Sequence, residues 1–136
     1  MRFILDCSIA MTWCFEDEAT YRTEKLFDSL TQGGKGVVPS HWYLEVSNVL
    51  LTSMRHGRIS QDRASQFLSL LGSLPITSDS DTGSNAFSRT HAIAQESGLS
   101  SYEAAYLELA IRIGLPIASN DRKLNAVAEI RNVVVL

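Results

Sequence analysis

The sequence predicts an α/β fold: one domain over residues 1–136, arranged as three layers with helices on both sides of a mainly parallel sheet of about five strands. Three observations carry this expectation. Short apolar runs alternate with longer stretches of helical period, the pattern of strands joined by crossover helices. The runs are brief and flanked by Gly, Pro, Asn or Asp, as strands buried on both faces are. The 136 residues, 45% hydrophobic and 20% charged, suffice for one packed core and are too few for two domains.

In chain order, Phe3 to Leu5 reads as the first strand, followed by a helix over Ala19 to Leu30 that stops at Gly33-Gly34. Gly36 to Val38 is the second strand. Helical period returns over His41 to Arg55, ending at Gly57, and over Gln61 to Leu71. Pro75 to Thr77 is the third strand, and a short polar stretch, Ser78 to Ser84, runs into a helix over Thr82 to Glu96 closed by Gly98. A helix over Ser101 to Ile113 stops at Gly114, Pro116 to Ala118 is the fourth strand, Arg122 to Glu129 the last helix, and Val133 to Leu136 the fifth strand. There is no internal repeat, low-complexity tract or linker.

Twelve Lys and Arg against fifteen Asp and Glu give a net charge of -3, so no overall positive field draws in a polyanion, and nucleic-acid contact needs a local basic patch or a metal. Cys7 and Cys14 form neither a C-x-x-C pair nor a metal-ligand spacing. Asp6 interrupts the N-terminal apolar run, no apolar stretch reaches 18 residues, and the expectation is a soluble cytoplasmic protein with reduced thiols and no membrane partner.

Open parallel sheets bind ligands beyond the carboxyl ends of their strands. Asp6 directly follows the first strand, and Asp121 follows the fourth through Ser119-Asn120. An Asp beginning a helix is equally a cap. On the helix from His41, Glu45 falls at the margin of the face made by Trp42, Val46, Val49 and Leu50; a boundary Glu with its head in water is the commoner reading of such a position. Glu103 lies at the margin of the face Tyr102, Tyr106, Leu109 and Ala110, whereas Glu108 points away and reads as solvated. Locally, Ser100-Ser101-Tyr102-Glu103 is best read as a capping box. The case for a site rests on the set: four carboxylates at strand ends and helix starts can converge only if protons or cations neutralise them. Hard oxygen donors without a Cys/His set suit Mg²⁺ or Mn²⁺, which support phosphoryl chemistry. Ser8, Ser119 and Asn120 stand beside the two Asp residues as candidate orienting groups.

The segments Ile4-Leu5-Asp6-Cys7-Ser8, Glu45-Val46-Ser47-Asn48-Val49-Leu50, Leu99 to Ala110 and Leu115 to Leu124 together resemble a PIN domain, and in particular the VapC-type toxins. The resemblance spans nearly the whole chain and is strongest from Leu99 to Leu124. It implies a PIN-like domain, a Mg²⁺- or Mn²⁺-dependent endoribonuclease with an acidic quartet, often a homodimer, held inactive by a cognate antitoxin. Asp6, Glu45 and Asp121 match the family's acidic positions. Glu103 stands where the family usually has Asp, one methylene longer in reach. The catalytic set expected is therefore Asp6, Glu45, Glu103 and Asp121, with Asp6, Glu103 and Asp121 as metal ligands.

For RNA the cationic footholds are Arg55 and Arg58 around Gly57, and Arg122 and Lys123 after Asp121; a solvated surface is the competing reading of each. His41, His56 and His91 form no local pair, and Trp13 and Trp42 read as core or interface. Phosphoaspartate chemistry lacks a second Asp two positions after Asp6, and no phosphate-cradling Gly-rich loop follows a strand. The remaining alternative is a catalytically weak or inactive module of the same fold that binds RNA or an antitoxin.

Overall fold

The computed structural model describes residues 1–136. Its element order is β1 (Arg2–Leu5), α1 (Cys7–Thr12), a 3₁₀ turn (Glu16–Glu18), α2 (Tyr21–Thr31), β2 (Lys35–Val38), α3 (Trp42–Arg55) and α4 (Gln61–Ser73), then β3 (Ile76–Ser78), α5 (Thr82–Asn85), a π-helical segment (Ala86–Thr90), α6 (His91–Ser97), α7 (Ser101–Ile113), β4 (Ile117–Ala118) and α8 (Arg122–Ile130). The four strands form one parallel sheet in the order β3-β2-β1-β4. The segment expected as a fifth strand contributes a single bridge, Val135 opposite Ile117. β4 offers only two residues before the chain turns into Ser119, so its neighbour has little edge to pair with.

Phe3, Ile4 and Leu5 are all completely buried. Successive strand side chains point to opposite faces, so both faces of β1 are covered, and the sheet is the middle layer of an α/β/α arrangement. Of the expected helices, the one over 101–113 keeps its bounds: Ser100 Oγ accepts from Glu103 N, and Gly114 closes it in the left-handed region at φ 69°. The single helix expected over Thr82 to Glu96 is instead α5, the π-helical segment and α6 in succession. α1 and the 3₁₀ turn went unread because six residues and three residues are too short to show a period.

Glu108 corrects the sequence reading. It is only 3% exposed, because α7 is buried on every side from Ala104 to Ala110 rather than along one stripe. Its carboxylate is held by Arg112, Nε to Oε1 at 2.8 Å, and Arg112 also grips Asp79, Nη2 to Oδ2 at 2.6 Å. One guanidinium thus neutralises two anions, which is what permits a buried Glu. No helix is long and apolar enough to cross a membrane.

Candidate active site

The site is assembled first by register. β1 and β4 pair with Ile4 opposite Ile117 and Leu5 opposite Ala118, and Asp6 N donates to Ala118 O at 3.0 Å. The next residues, Asp6 and Ser119, are therefore neighbours although 113 positions apart. β1 lies between β2 and β4, so the chain leaves it toward both sides, and the crevice of an open sheet opens at that point.

Asp6 is buried, and both hydroxyl bonds it receives fall on Oδ2, from Ser8 Oγ and from Ser119 Oγ, each at 2.6 Å. The same hydroxyls accept backbone N–H groups, Ser8 from Asn120 and Ser119 from Asp121, each at 2.9 Å. Their own hydrogens are thereby directed at Asp6. Burial pushes the Asp6 carboxyl above the ordinary carboxylate range, the two hydroxyls pull it back, and Asp121 nearby raises it again. Asp121 caps α8, with Oδ1 accepting Leu124 N at 2.9 Å.

Glu45 rises from the first turn of α3. Tyr106 Oη donates to Glu45 Oε1 in a very short hydrogen bond. Burial pushes the Glu45 carboxyl up, Tyr106 opposes this, and the charges of Asp6 and Glu103 add to the rise. His41 Nε2 lies 3.5 Å from Oε1 of Glu45 without hydrogen bonding to it, and burial holds its imidazole below the ordinary range. Glu103 keeps its capping box, with Oε2 accepting Ser100 N at 3.3 Å, and its side chain also lines a cleft shared with the other three carboxylates.

One cleft of about 500 Å³ is lined by Asp6, Ser8, Glu45, Glu103, Asn120 and Asp121, together with Glu18, Tyr106 and several apolar neighbours. The structure thus brings the four carboxylates expected from sequence to one place. Electrostatically they form a chain in which Asp6 senses Asp121, and Glu45 senses both Asp6 and Glu103. No three Asp, Glu, His or Cys side chains close into a ready-made cage, so Asp6, Glu103 and Asp121 do not stand as three converged ligands. A Mg²⁺ ion keeps several waters and takes one or two carboxylates directly; this donor set, all hard oxygen and mutually repelling, fits such an ion.

The cations divide. Arg58 is committed to Asp17 and Glu18, at 3.1 and 2.8 Å, and lies 3.9 Å over the Phe15 ring. Lys123 Nζ donates to Gly98 O at 2.7 Å. Arg55 and Arg122 are exposed, and no ion pair uses either. Trp42 is buried, and Trp13 Nε1 donates to Thr23 O. Two polar cleft residues escaped sequence reading as site residues. Tyr106 stands three positions after Glu103 on the same face, a spacing that locates it; Glu18 left no comparable signal, and neither did His41, which lies beside Glu45.

Fold and cleft together define a parallel α/β domain with an acidic pocket at the carboxyl ends of its central strands. Residues 3–130 match the family model described as PIN domain, and the chain belongs to that family. No curated protein matches it. Among solved structures it is similar to PAE2754 from Pyrobaculum aerophilum (TM-score 0.71, 20% identity, 99% of this chain and 89% of that one). It is also similar to VapBC2 from Rickettsia felis, solved bound to a DNA fragment from their promoter (0.70, 13%, 100% and 98%). A third likeness is to FitAcB from Neisseria gonorrhoeae (0.57, 16%, 100% and 96%). At these identities the likeness is one of fold.

Proposed function

We propose that this PIN domain is a Mg²⁺- or Mn²⁺-dependent endoribonuclease, the toxin of a toxin–antitoxin pair. The observation that carries the reading is the convergence of Asp6, Glu45, Glu103 and Asp121 on one cleft. The similarity to VapBC2 and FitAcB supports the toxin context and with it an antitoxin partner; to this reading we add a homodimer working in the cytoplasm.

In this reading Asp6 and Asp121, with Glu103 beside them in the cleft, would hold the cation, and Ser8, Ser119 and Asn120 keep Asp6 in place. Such an ion, when bound, would supply charge neutralisation for a phosphodiester and polarise a water. Asp6 presents a carboxylate whose orientation is set before any ligand arrives, because two directed hydroxyls hold it. Glu45 has Oε1 occupied by Tyr106, which leaves Oε2 to take a proton from an attacking water. Burial raises its proton affinity above that of an ordinary glutamate, the direction a proton acceptor needs. Arg55 and Arg122 are the exposed cations left to meet the RNA backbone.

The test is a Mn²⁺ titration with two readouts, melting temperature and cleavage of RNA. Wild type gains stability and cleaves, and Asp6→Asn and Asp121→Asn lose both. Cleavage that persists in EDTA refutes the mechanism. Two observations favour a second reading, a weak or inactive module that binds RNA or an antitoxin: Glu103 is engaged in its helix cap and no three-ligand cage is closed. RNA binding without cleavage at saturating Mn²⁺ decides for it.

A further inference from the structure

We infer that Arg22, on α2 and outside the acidic cleft, is the positioning residue that locks the Ser119-Asn120-Asp121 loop in its working geometry; this rests on the reading of the cleft as the active site. Arg22 is half-buried and its guanidinium makes three bonds in three directions. Nη2 donates to Ser119 O at 2.8 Å, Nη1 to Asn120 Oδ1 at 2.7 Å, and Nε to the backbone oxygen of Leu136 at 2.7 Å. These acceptors are 97, 98 and 114 positions away in sequence, so the contact is purely tertiary.

What Arg22 holds is the element on which the Asp6 network hangs. Ser119 and Asn120 lie between β4 and α8 with no regular pairing of their own. Ser119 O accepts from Arg22 and from Asn125 Nδ2, the latter at 2.9 Å, so both its lone pairs are used and the peptide plane is fixed. That plane sets the direction of the Asn120 N–H toward Ser8 Oγ, and with Asn120 also held at its Oδ1 by Arg22 the next peptide presents the Asp121 N–H to Ser119 Oγ. Those hydroxyls in turn point at Asp6 Oδ2. A planar, permanently charged fork is the side chain suited to three fixed acceptors, and an ammonium cannot span them.

The test is amide hydrogen exchange of the full chain without metal, comparing wild type with Arg22→Ala and Arg22→Lys. We expect protection of the Asn120 and Asp121 amides to fall about tenfold in Arg22→Ala, while amides of β1 and β2 such as Ile4 and Val37 keep theirs. Arg22→Lys is expected to fall between, and it carries the comparison if the Ala variant does not fold. With Mn²⁺ added, the concentration for half-maximal thermal stabilisation rises about tenfold, and kcat on RNA falls with KM unchanged. Unchanged protection at Asn120 and Asp121, or an equal loss across the sheet, overturns the assignment. If wild type cleaves no RNA, the nuclease reading fails while the exchange result still decides the role of Arg22.

Discussion

Replacing Ser119 by Ala removes one oxygen that serves two partners. The hydroxyl is completely buried, donates to Asp6 Oδ2 at 2.6 Å and accepts Asp121 N at 2.9 Å. A hydrogen bond to an ionised group contributes about 1.5–3 kcal/mol, and orphaning a half-buried N–H costs about 1 kcal/mol more. The sum is about 3 kcal/mol, or roughly 9 °C in melting temperature for a domain of this size. Ser8→Ala is the internal control: it deletes the same two bonds, at 2.6 and 2.9 Å, but Ser8 is only half-buried and Asn120 is exposed, so water replaces the lost oxygen. There the cost is about 1 kcal/mol. Urea unfolding of both variants without metal measures the difference. Costs within about half a kcal/mol of each other refute the argument that burial, and not bond count, gives Ser119 its weight.

Asp6→Asn, by contrast, should stabilise the metal-free protein at neutral pH while abolishing Mn²⁺ binding. Burial leaves Asp6 binding its proton more tightly folded than unfolded, so wild-type stability falls as pH rises from about 4 through the raised value, and the Asn variant loses the Asp6 share of that slope while the share of the likewise raised Glu45 remains; melting curves from pH 4 to 8 check it, and equal slopes contradict it. Arg112→Ala strands Glu108 and Asp79 without their shared cation and should cost about 3 kcal/mol in urea, whereas a loss below about 1 kcal/mol would mean water reaches the pair. Tyr106→Phe frees Glu45 Oε1 and should lower kcat about tenfold with KM unchanged, an unaltered kcat removing Tyr106 from the site. Glu103→Asp should keep RNA cleavage and lose about 0.5 kcal/mol of helix capping; a loss of activity as complete as in Asp6→Asn would show dependence on the longer side chain.

The cleft sits at the centre of the molecule's electrostatic cost. Cys7, beside it, has its thiol pushed up to about 12, chiefly by burial and then by Glu45 and Asp6, and the Tyr106 hydroxyl is pushed above its ordinary value by burial first and by Asp6 and Glu45 after. Neighbouring groups that resist ionising beside existing anions describe a pocket that favours cations. Its wall at Glu18 is held by Arg58, a cation that the sequence also offers as a foothold for RNA.

What the sequence determined by itself was whatever is local or periodic. The apolar runs named the strands, the Gly stops and the Ser100 cap bounded the helix over 101–113, and Asp6 and Asp121 were legible because each directly follows a strand or begins a helix. Glu45 and Glu103 were legible as margins of an apolar face. Only the folded chain decided the rest, because it depends on groups distant in sequence. Arg112 is four residues from Glu108 on the same helix, but the burial of the pair also required Asp79 to meet Arg112 from 33 residues away, the fate of Arg58 required the Glu16–Glu18 turn, and the hold on Ser119 required Arg22 from the other end of the chain. A hydrogen bond across 97 residues leaves no period or spacing to read; it arises from register and packing, which pair elements that the order of residues keeps apart.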